Sequence, residues 1–587
     1  MTLPPPIRLL FVALTTLLGA AAAAGERPNV VVIVADDQGY GDLSCHGNPV
    51  LKTPHMDRLH ADSVRFTDFH VAPMCTPTRG QLMTGRDAMK NGATAVCEGR
   101  SMMRNDLPTM ADIFRASGYA TGHFGKWHLG DSLPHRPQDR GFQSTLHHPA
   151  WGITSLADHW ANSYFDPWLL RDGVEARYDG YCADVFFREA MEWIDGRSGD
   201  QPFFLYLPSN TPHEPNVCAD RYSDPYEGEY HGVEMPSKFY GMIANLDENL
   251  GRFEAFLKDR GLRENTVLIY LSDNGTQSVP AMKIYNAGMR DRKTSLFEGG
   301  HRVPCFVRWP AGGLEGGRDV DELVQVQDLL PTIIDLCGLD AGDATFDGTS
   351  LAGLLSGDEA SLPDRKLVIQ YKASGKKWAW AGVLWKKWRL LGPGKLYHVG
   401  EDPHQDQNVA DRHPDVARAM ERHYDAWYAD AKPLFDQRRW ITLGSDEQNP
   451  VRLYAQDWVG DYCDNLANLT AGRAEGTWNV EVKTPGLYEI EFRRWPEESG
   501  LPLSSGYGPD WGRGPRGQRD VAAAVLRVGD VEVRTTTAPD APAAAFEVRL
   551  NAGRQQLGTS LLAADGRVLC SAPYVKATRL PEPANAD

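Results

Sequence analysis

Two continuous apolar runs, far apart in the chain, end in the same way. Residues 30–34 read Val-Val-Val-Ile-Val and lead into Asp36 and Asp37; residues 266–271 read Thr-Val-Leu-Ile-Tyr-Leu and lead into Ser272-Asp273-Asn274-Gly275. A strand that is apolar at every position has no face to give to water. It suits the middle of a parallel sheet covered by helices on both sides. A third run, 203–207, precedes Pro208, and an amphipathic helical stretch at 238–260 precedes the second run. Strands separated by helical segments need crossover connections, which predicts an α/β fold with a mostly parallel central sheet sandwiched by helices. In such a sheet ligands gather beyond the carboxyl ends of the strands. Asp36, Asp37, Asp273 and Asn274, from segments more than 200 residues apart, can therefore converge on one point. Three carboxylates in one place repel unless a cation lies among them, and an all-oxygen set suits Ca²⁺ or Mg²⁺ rather than Zn²⁺. Helix capping, a common use of aspartate, is the competing reading.

After residue 362 the texture changes. Segments 367–371, 380–385 and 388–391 read as short antiparallel strands, and a helix follows at 414–431. This predicts a small sheet-plus-helix subdomain, 363–435, closing an α/β domain that spans 25–362. Beyond Trp440, alternating stretches at 478–482, 487–492, 524–528 and 546–550 predict a C-terminal β-sandwich over 436–587, with a Gly/Pro-rich loop at 496–519. Its tryptophans (440, 458, 478, 495 and 511) can stack on sugars or fill a core, and core filling is favoured. Asn468-Leu469-Thr470 is a glycosylation sequon, meaningful only on a eukaryotic secretory route.

The N-terminus carries Arg8, a short apolar core and alanines at 20–24. This describes a cleaved secretory signal over 1–24, because the apolar stretch is shorter than the roughly 20 residues a membrane anchor requires. A secreted or periplasmic protein without a membrane anchor after cleavage is expected. The net charge of −17 argues against nucleic acid as a partner. Nine cysteines are too few for a disulfide scaffold of 587 residues, and none forms a Cys-x-x-Cys pair. Cys463 and Cys570 are a candidate bridge, and Cys75 a candidate for the odd thiol.

The segment Cys75-Thr76-Pro77-Thr78-Arg79-Gly80-Gln81-Leu82-Met83-Thr84-Gly85-Arg86 looks like a helix start, with Cys75 near the positive end of the dipole and Arg79 one turn on. By itself such a cysteine is more often a small buried hydrophobe. The pattern Cys-x-Pro-x-Arg followed by Leu-x-Thr-Gly-Arg nevertheless resembles the signature of the type I, formylglycine-dependent sulfatases of the alkaline-phosphatase-like superfamily. Further blocks resemble that family in the same order. They are 34–42 (Val-Ala-Asp-Asp-Gln-Gly-Tyr-Gly-Asp), 53–59, Gly125-Lys126-Trp127-His128-Leu129-Gly130, Thr211-Pro212-His213, 272–275 and 293–300. The resemblance extends over about 28–430. Thr78, Met83 and His301 depart from the residues usual at those places. Outside this span, 440–458 and 491–496 are similar to segments of exported bacterial aryl and polysaccharide sulfatases.

What the resemblance implies is specific. Cys75 is oxidised to formylglycine (3-oxoalanine) by a formylglycine-generating enzyme. The hydrated aldehyde offers two hydroxyls: one attacks sulfur and displaces the alcohol, and deprotonation of the other expels sulfate. Asp36, Asp37, Asp273 and Asn274, with position 75, hold Ca²⁺. Arg79 orients the diol, Lys126 and Lys293 clamp sulfate oxygens, and His128 accepts the proton of the second hydroxyl. His213 protonates the departing alcohol, with Lys293 as competitor. The expected substrate is a sulfated saccharide or aryl sulfate. Two other readings remain: a phosphatase or phosphonate hydrolase of the same superfamily, which would use an unmodified Ser or Thr nucleophile, and a non-catalytic carbohydrate-binding protein, against which every expected catalytic position is filled. His70, His147 and His148 match no block and read as core or surface residues.

Overall fold

The computed structural model describes residues 27–197, 201–372, 375–471, 474–508 and 516–581. The expected signal segment 1–24 and Trp511 lie outside them. The central sheet has ten strands: β1 (Asn29–Ala35), β2 (Val64–His70), β3 (Ala120–Phe124), β4 (Ser144–His147), β5 (Trp168–Arg171), β6 (Val174–Arg177), β7 (Phe203–Pro208), β8 (Thr266–Ser272), β9 (Cys305–Arg308) and β10 (Asp319–Gln325). Their order is β10-β2-β9-β8-β1-β7-β3-β4-β5-β6. The centre, β8-β1-β7-β3-β4, is parallel; β9 runs antiparallel to both of its neighbours, and β5 and β6 form an antiparallel edge.

The side chains of β1 show why it is apolar throughout. Val30, Val32 and Val34 enter one core with Val267, Ile269 and Leu271, whereas Val31, Ile33 and Ala35 enter a second core with Leu268 and Tyr270. The first core is closed by helices Met110–Ala116 and Leu329–Cys337, the second by Cys182–Asp195 and Ser237–Asp259. At about 1.5–3 kcal/mol for each buried aliphatic side chain, alternating burial makes both faces of the strand indispensable.

A four-stranded antiparallel sheet (Leu367–Gln370, Ala381–Trp385, Trp388–Leu390, Leu396–His398) packs against helix Pro414–Phe435 through Met420 and Tyr424. Further on, sheets of seven and four strands enclose one common core. Trp458, Trp478 and Trp495 are buried in it, so they fill space rather than meet sugars. Met102 and Leu156, from loops of the central unit, belong to the same core. Cys463 and Cys570 are neighbours, since Cys570, after burial and Asp464, helps push the Cys463 thiol up to about 12. The bridge considered from sequence is not formed, for no disulfide joins the described cysteines. Among the described residues, no helix is long and apolar enough to cross a membrane.

Candidate active site

Parallel pairing places Ala35 beside Ser272, so the residues that follow them, Asp36 and Asp273, leave the sheet side by side. Neither caps a helix: a bend follows Asp36, and the next helix after β8, Val279–Ile284, is capped by Ser278. The backbone at Asp37 turns to a φ of 73°, and its N–H donates to Asp273 Oδ1 at 3.1 Å. Asp36, Asp37 and Asp273 are fully buried and offer oxygens within 4.8 Å of one another.

Cys75 is the first residue of helix α1 (Cys75–Thr84), reached by a short link from the end of β2. Every residue of α1 is buried, and Cys75 itself is 1% exposed. Its Sγ lies 3.4 Å from His128 Nδ1. On the other side of that ring, Nε2 lies 3.4 Å from the Val96 carbonyl, which can only accept. His128 therefore carries its proton on Nε2 and turns the Nδ1 lone pair toward Cys75. Burial, reinforced by Lys126 and Arg79, holds the imidazole neutral, well below its usual pKa.

Three cations answer the three carboxylates one for one. Lys126 Nζ meets both oxygens of Asp36 at 2.7 and 2.9 Å. Arg79 donates to Asp273 Oδ2 from Nη2 at 2.7 Å and from Nε at 3.1 Å. Lys293 Nζ lies 2.6 Å from Asp37. Lys126 reaches its place because residue 125 is glycine. At φ of +133°, a Cβ there would sit 1.8 Å from the Pro208 carbonyl, the same oxygen that accepts the Lys126 N–H at 2.8 Å. Burial alone would push Asp37 up, but Lys293, then His213 and Lys126, hold it well below the carboxylate range. For Asp273, burial and then the Asp36 charge outweigh Arg79 and raise the pKa. The Cys75 thiol is also raised, by burial first, so it stays protonated despite the two lysines.

His213 sits at the rim. Its Nδ1 donates to the Glu214 carbonyl at 2.6 Å and its Nε2 lies 3.7 Å from Asp37 Oδ2. Burial drops its pKa to about 3 against the pull of Asp37. All ten residues singled out from sequence are thus near one another. Sequence reasoning missed Trp151, whose ring lies 5.2 Å from that of His213 and whose Nε1 donates to the Asp464 carbonyl at 3.0 Å. Through Asp464 the C-terminal sandwich reaches the mouth of the site. Neither residue belongs to a recognisable motif.

The residues present fit a hard divalent cation. Asn274 donates from Nδ2 to Asp37 Oδ1 at 2.7 Å, yet its own Oδ1 is buried without a hydrogen-bond partner. With the three clustered aspartates this makes an all-oxygen donor set in which the Asn274 oxygen is still unpartnered.

Comparison with known proteins bears directly on this arrangement. The family profile described as Sulfatase matches residues 28–339. Arylsulfatase A of Homo sapiens is 32% identical over 373 residues, covering 58% of this chain and 70% of the human one. The N-acetylgalactosamine-6-sulfatase of Canis lupus familiaris is 26% identical over 531 residues, covering 78% of this chain and 95% of its own. The crystal structure of Ps i-CgsB in complex with k-i-k-neocarrahexaose superposes with a TM-score of 0.61 at 25% identity, over 71% of this chain and 95% of that one. A profile match over more than half the chain, on a sheet that gathers acidic and basic side chains at its carboxyl end, decides the assignment: the chain belongs to the sulfatase family, and it is an enzyme that hydrolyses sulfate esters.

Proposed function

We propose that the protein is an exported, Ca²⁺-dependent sulfatase that acts on a sulfated saccharide from a formylglycine formed at Cys75 by a maturation enzyme. The observation that carries the reading is the position of Cys75 Sγ, 3.4 Å from a neutral His128, at the head of a buried helix and among the three carboxylate–cation pairs. Asp36, Asp37, Asp273 and Asn274, with position 75, would hold the cation, which when bound supplies positive charge to acidify a hydroxyl and polarise a sulfate oxygen. The oxidised side chain supplies a nucleophilic oxygen together with a second hydroxyl whose deprotonation releases sulfate.

The chain's own groups do the rest. Arg79 is fixed by Asp273 and by the Lys126 carbonyl, 3.0 Å from Nη1, so its charge lies at position 75 without further ordering. Lys126 and Lys293 neutralise sulfate oxygens, a contribution that typically reaches about 10²–10³ in rate for each donor. His128 Nδ1 receives the proton of the second hydroxyl, since Nε2 is already committed to Val96. His213 loads a proton at Nε2 when the negative charge of a bound ester offsets Lys293 and Lys126, and passes it to the departing alcohol. Trp151 beside it offers an apolar face for a sugar ring. A saccharide substrate draws support from the relatives that bear saccharide names. Peptide mass spectrometry over residues 65–100 tests the first step: active protein should carry an aldehyde at position 75, and an intact thiol in all active molecules would overturn it. Screening sulfated saccharides against aryl sulfates for sulfate release tests the substrate.

A further inference from the structure

A second cluster of ligand-type side chains lies apart from the sulfate site, in the seam between the central sheet and the small antiparallel sheet. His70 ends β2; Glu298 and His301 begin and end the short helix Glu298–His301. All three are at most 1% exposed. The two imidazoles face each other through Nδ1, 2.9 Å apart. Both outer nitrogens are committed, His70 Nε2 to Asp68 Oδ1 at 2.8 Å and His301 Nε2 to the Leu296 carbonyl at 3.0 Å. Asp68 already accepts from Arg389 on Oδ1 at 3.0 Å and from Lys387 on Oδ2 at 3.1 Å, the Leu296 carbonyl can only accept, and the remaining contact of His70 Nε2, Arg389 Nη2 at 3.4 Å, is longer than its 2.8 Å bond to Asp68. Each Nε2 therefore carries the N–H, and the two Nδ1 atoms meet lone pair to lone pair unless a cation lies between them. A positive charge belongs between them.

Glu298 identifies which one. Arg389 binds Glu298 Oε1 at 2.6 Å and Asp68 Oδ1 at 3.0 Å from the small sheet. Glu298 Oε2 is buried with no hydrogen-bond partner. A proton shared by the imidazoles would satisfy the nitrogens and leave that oxygen bare, whereas a divalent ion satisfies all three groups. His70, Glu298 and His301 each offer a donor atom within 4.8 Å of the others. We propose that these three residues form a second metal site, for a borderline divalent transition ion of the zinc class, distinct from the all-oxygen site around Asp36.

Two nitrogens and one carboxylate oxygen suit such an ion and not Ca²⁺ or Mg²⁺. The outer contacts have the form that orients metal-binding histidines, with the far N–H held by a carboxylate or a carbonyl. Tetrahedral ligation at about 2.0–2.1 Å sets two nitrogens about 3.3 Å apart, so the rings need to open by only a few tenths of an ångström. The location has a structural purpose. Val71 donates to the His301 carbonyl at 2.9 Å and Thr294 to that of Pro73 at 2.8 Å. An ion at this point would clasp the segment entering Cys75 to the segment leaving Lys293.

The test uses the full chain, expressed with zinc and passed over a weak chelating resin. Elemental analysis should give a full equivalent of zinc, and X-ray absorption should show two imidazole nitrogens in its shell. Asp68→Asn keeps an acceptor for His70 and should weaken zinc binding by about 10–100-fold in competition with a chromophoric chelator. His301→Leu should lose the zinc while the Asp68→Asn arm covers the case in which that variant does not fold. A chain without zinc whose imidazoles share a low-field proton in the nuclear magnetic resonance spectrum would overturn the proposal, as would zinc surrounded by oxygen alone.

Discussion

Lys126→Met separates what the carboxylate ring costs from what it does. The substitution keeps the length of the side chain and removes the charge that now lies 2.7 Å from an Asp36 carboxylate with no exposure to water. Asp36 would be left beside Asp37 and Asp273, and breaking a buried pair by removing one partner costs about 3–5 kcal/mol. For a cooperative unit the size of the matched segment 28–339, an unfolding entropy of about 2.1 cal/mol/K per residue turns this into a fall of about 5–8 °C in melting temperature. Unfolding is followed by tryptophan fluorescence in the presence of a chelator, so that the lysine is the local compensation being measured. In the double variant Asp36→Asn/Lys126→Met the stranded charge is gone, and most of the lost stability should return. Sulfate release should stay down by at least about 10²–10³ in both, because the positive group is missing from each. A single variant melting within about 1 °C of the parent, or a double variant no more stable than the single one, would refute the electrostatic account of the ring.

Three further outcomes are expected. Cys75→Ala should abolish sulfate release while costing only about 1 kcal/mol of stability, the loss of one small buried group, as measured by chemical unfolding; residual turnover would remove Cys75 from the chemistry. Gly125→Ala puts a Cβ 1.8 Å from the Pro208 carbonyl at a φ of +133°, so it should cost about 3 kcal/mol or more and displace Lys126, read as parallel losses in melting temperature and kcat/KM. Asp131, which accepts the Ala150 N–H at 3.0 Å, is pushed up to about 8 by burial and then by Asp457. A raised folded pKa means that its contribution is complete below the unfolded value, about 3.9, and is lost as pH rises through about 8. The stability gap between Asp131→Asn and the parent should accordingly widen in favour of the variant from pH 5 to pH 9, and a constant gap would contradict the assignment.

The legible parts of this fold are those with a local signature. Residues 30–34 and 266–271 announce a two-sided strand because each alternate side chain meets a different core, and the carboxyl-end rule then brings Asp36 and Asp273 together. The antiparallel placement of β9 and of the β5–β6 edge is not legible, because a strand of only four residues reads the same in either direction. The pairing of Lys126 with Asp36, Arg79 with Asp273 and Lys293 with Asp37 joins residues from 90 to 256 positions apart, with no spacing to betray it. His70 and His301, 231 positions apart, read singly as core histidines and acquire meaning only when the sheet brings them face to face. Trp151 and Asp464 lie on loops whose chemistry depends on what they lean against.

The depth at which Cys75 lies has a consequence for timing. A thiol that is 1% exposed is closed to any protein catalyst once the molecule is complete, so the maturation enzyme proposed above would have to meet it while the chain is still open. Closure awaits β8, which pairs with β1 and lies some 191 residues beyond Cys75. At about 5–20 residues per second of synthesis, about 10–40 s pass between the emergence of this thiol and that of β8, which leads into the Asp273 that holds Arg79. The long reach between the two halves of the sheet thus sets the time in which the proposed oxidation would compete with folding.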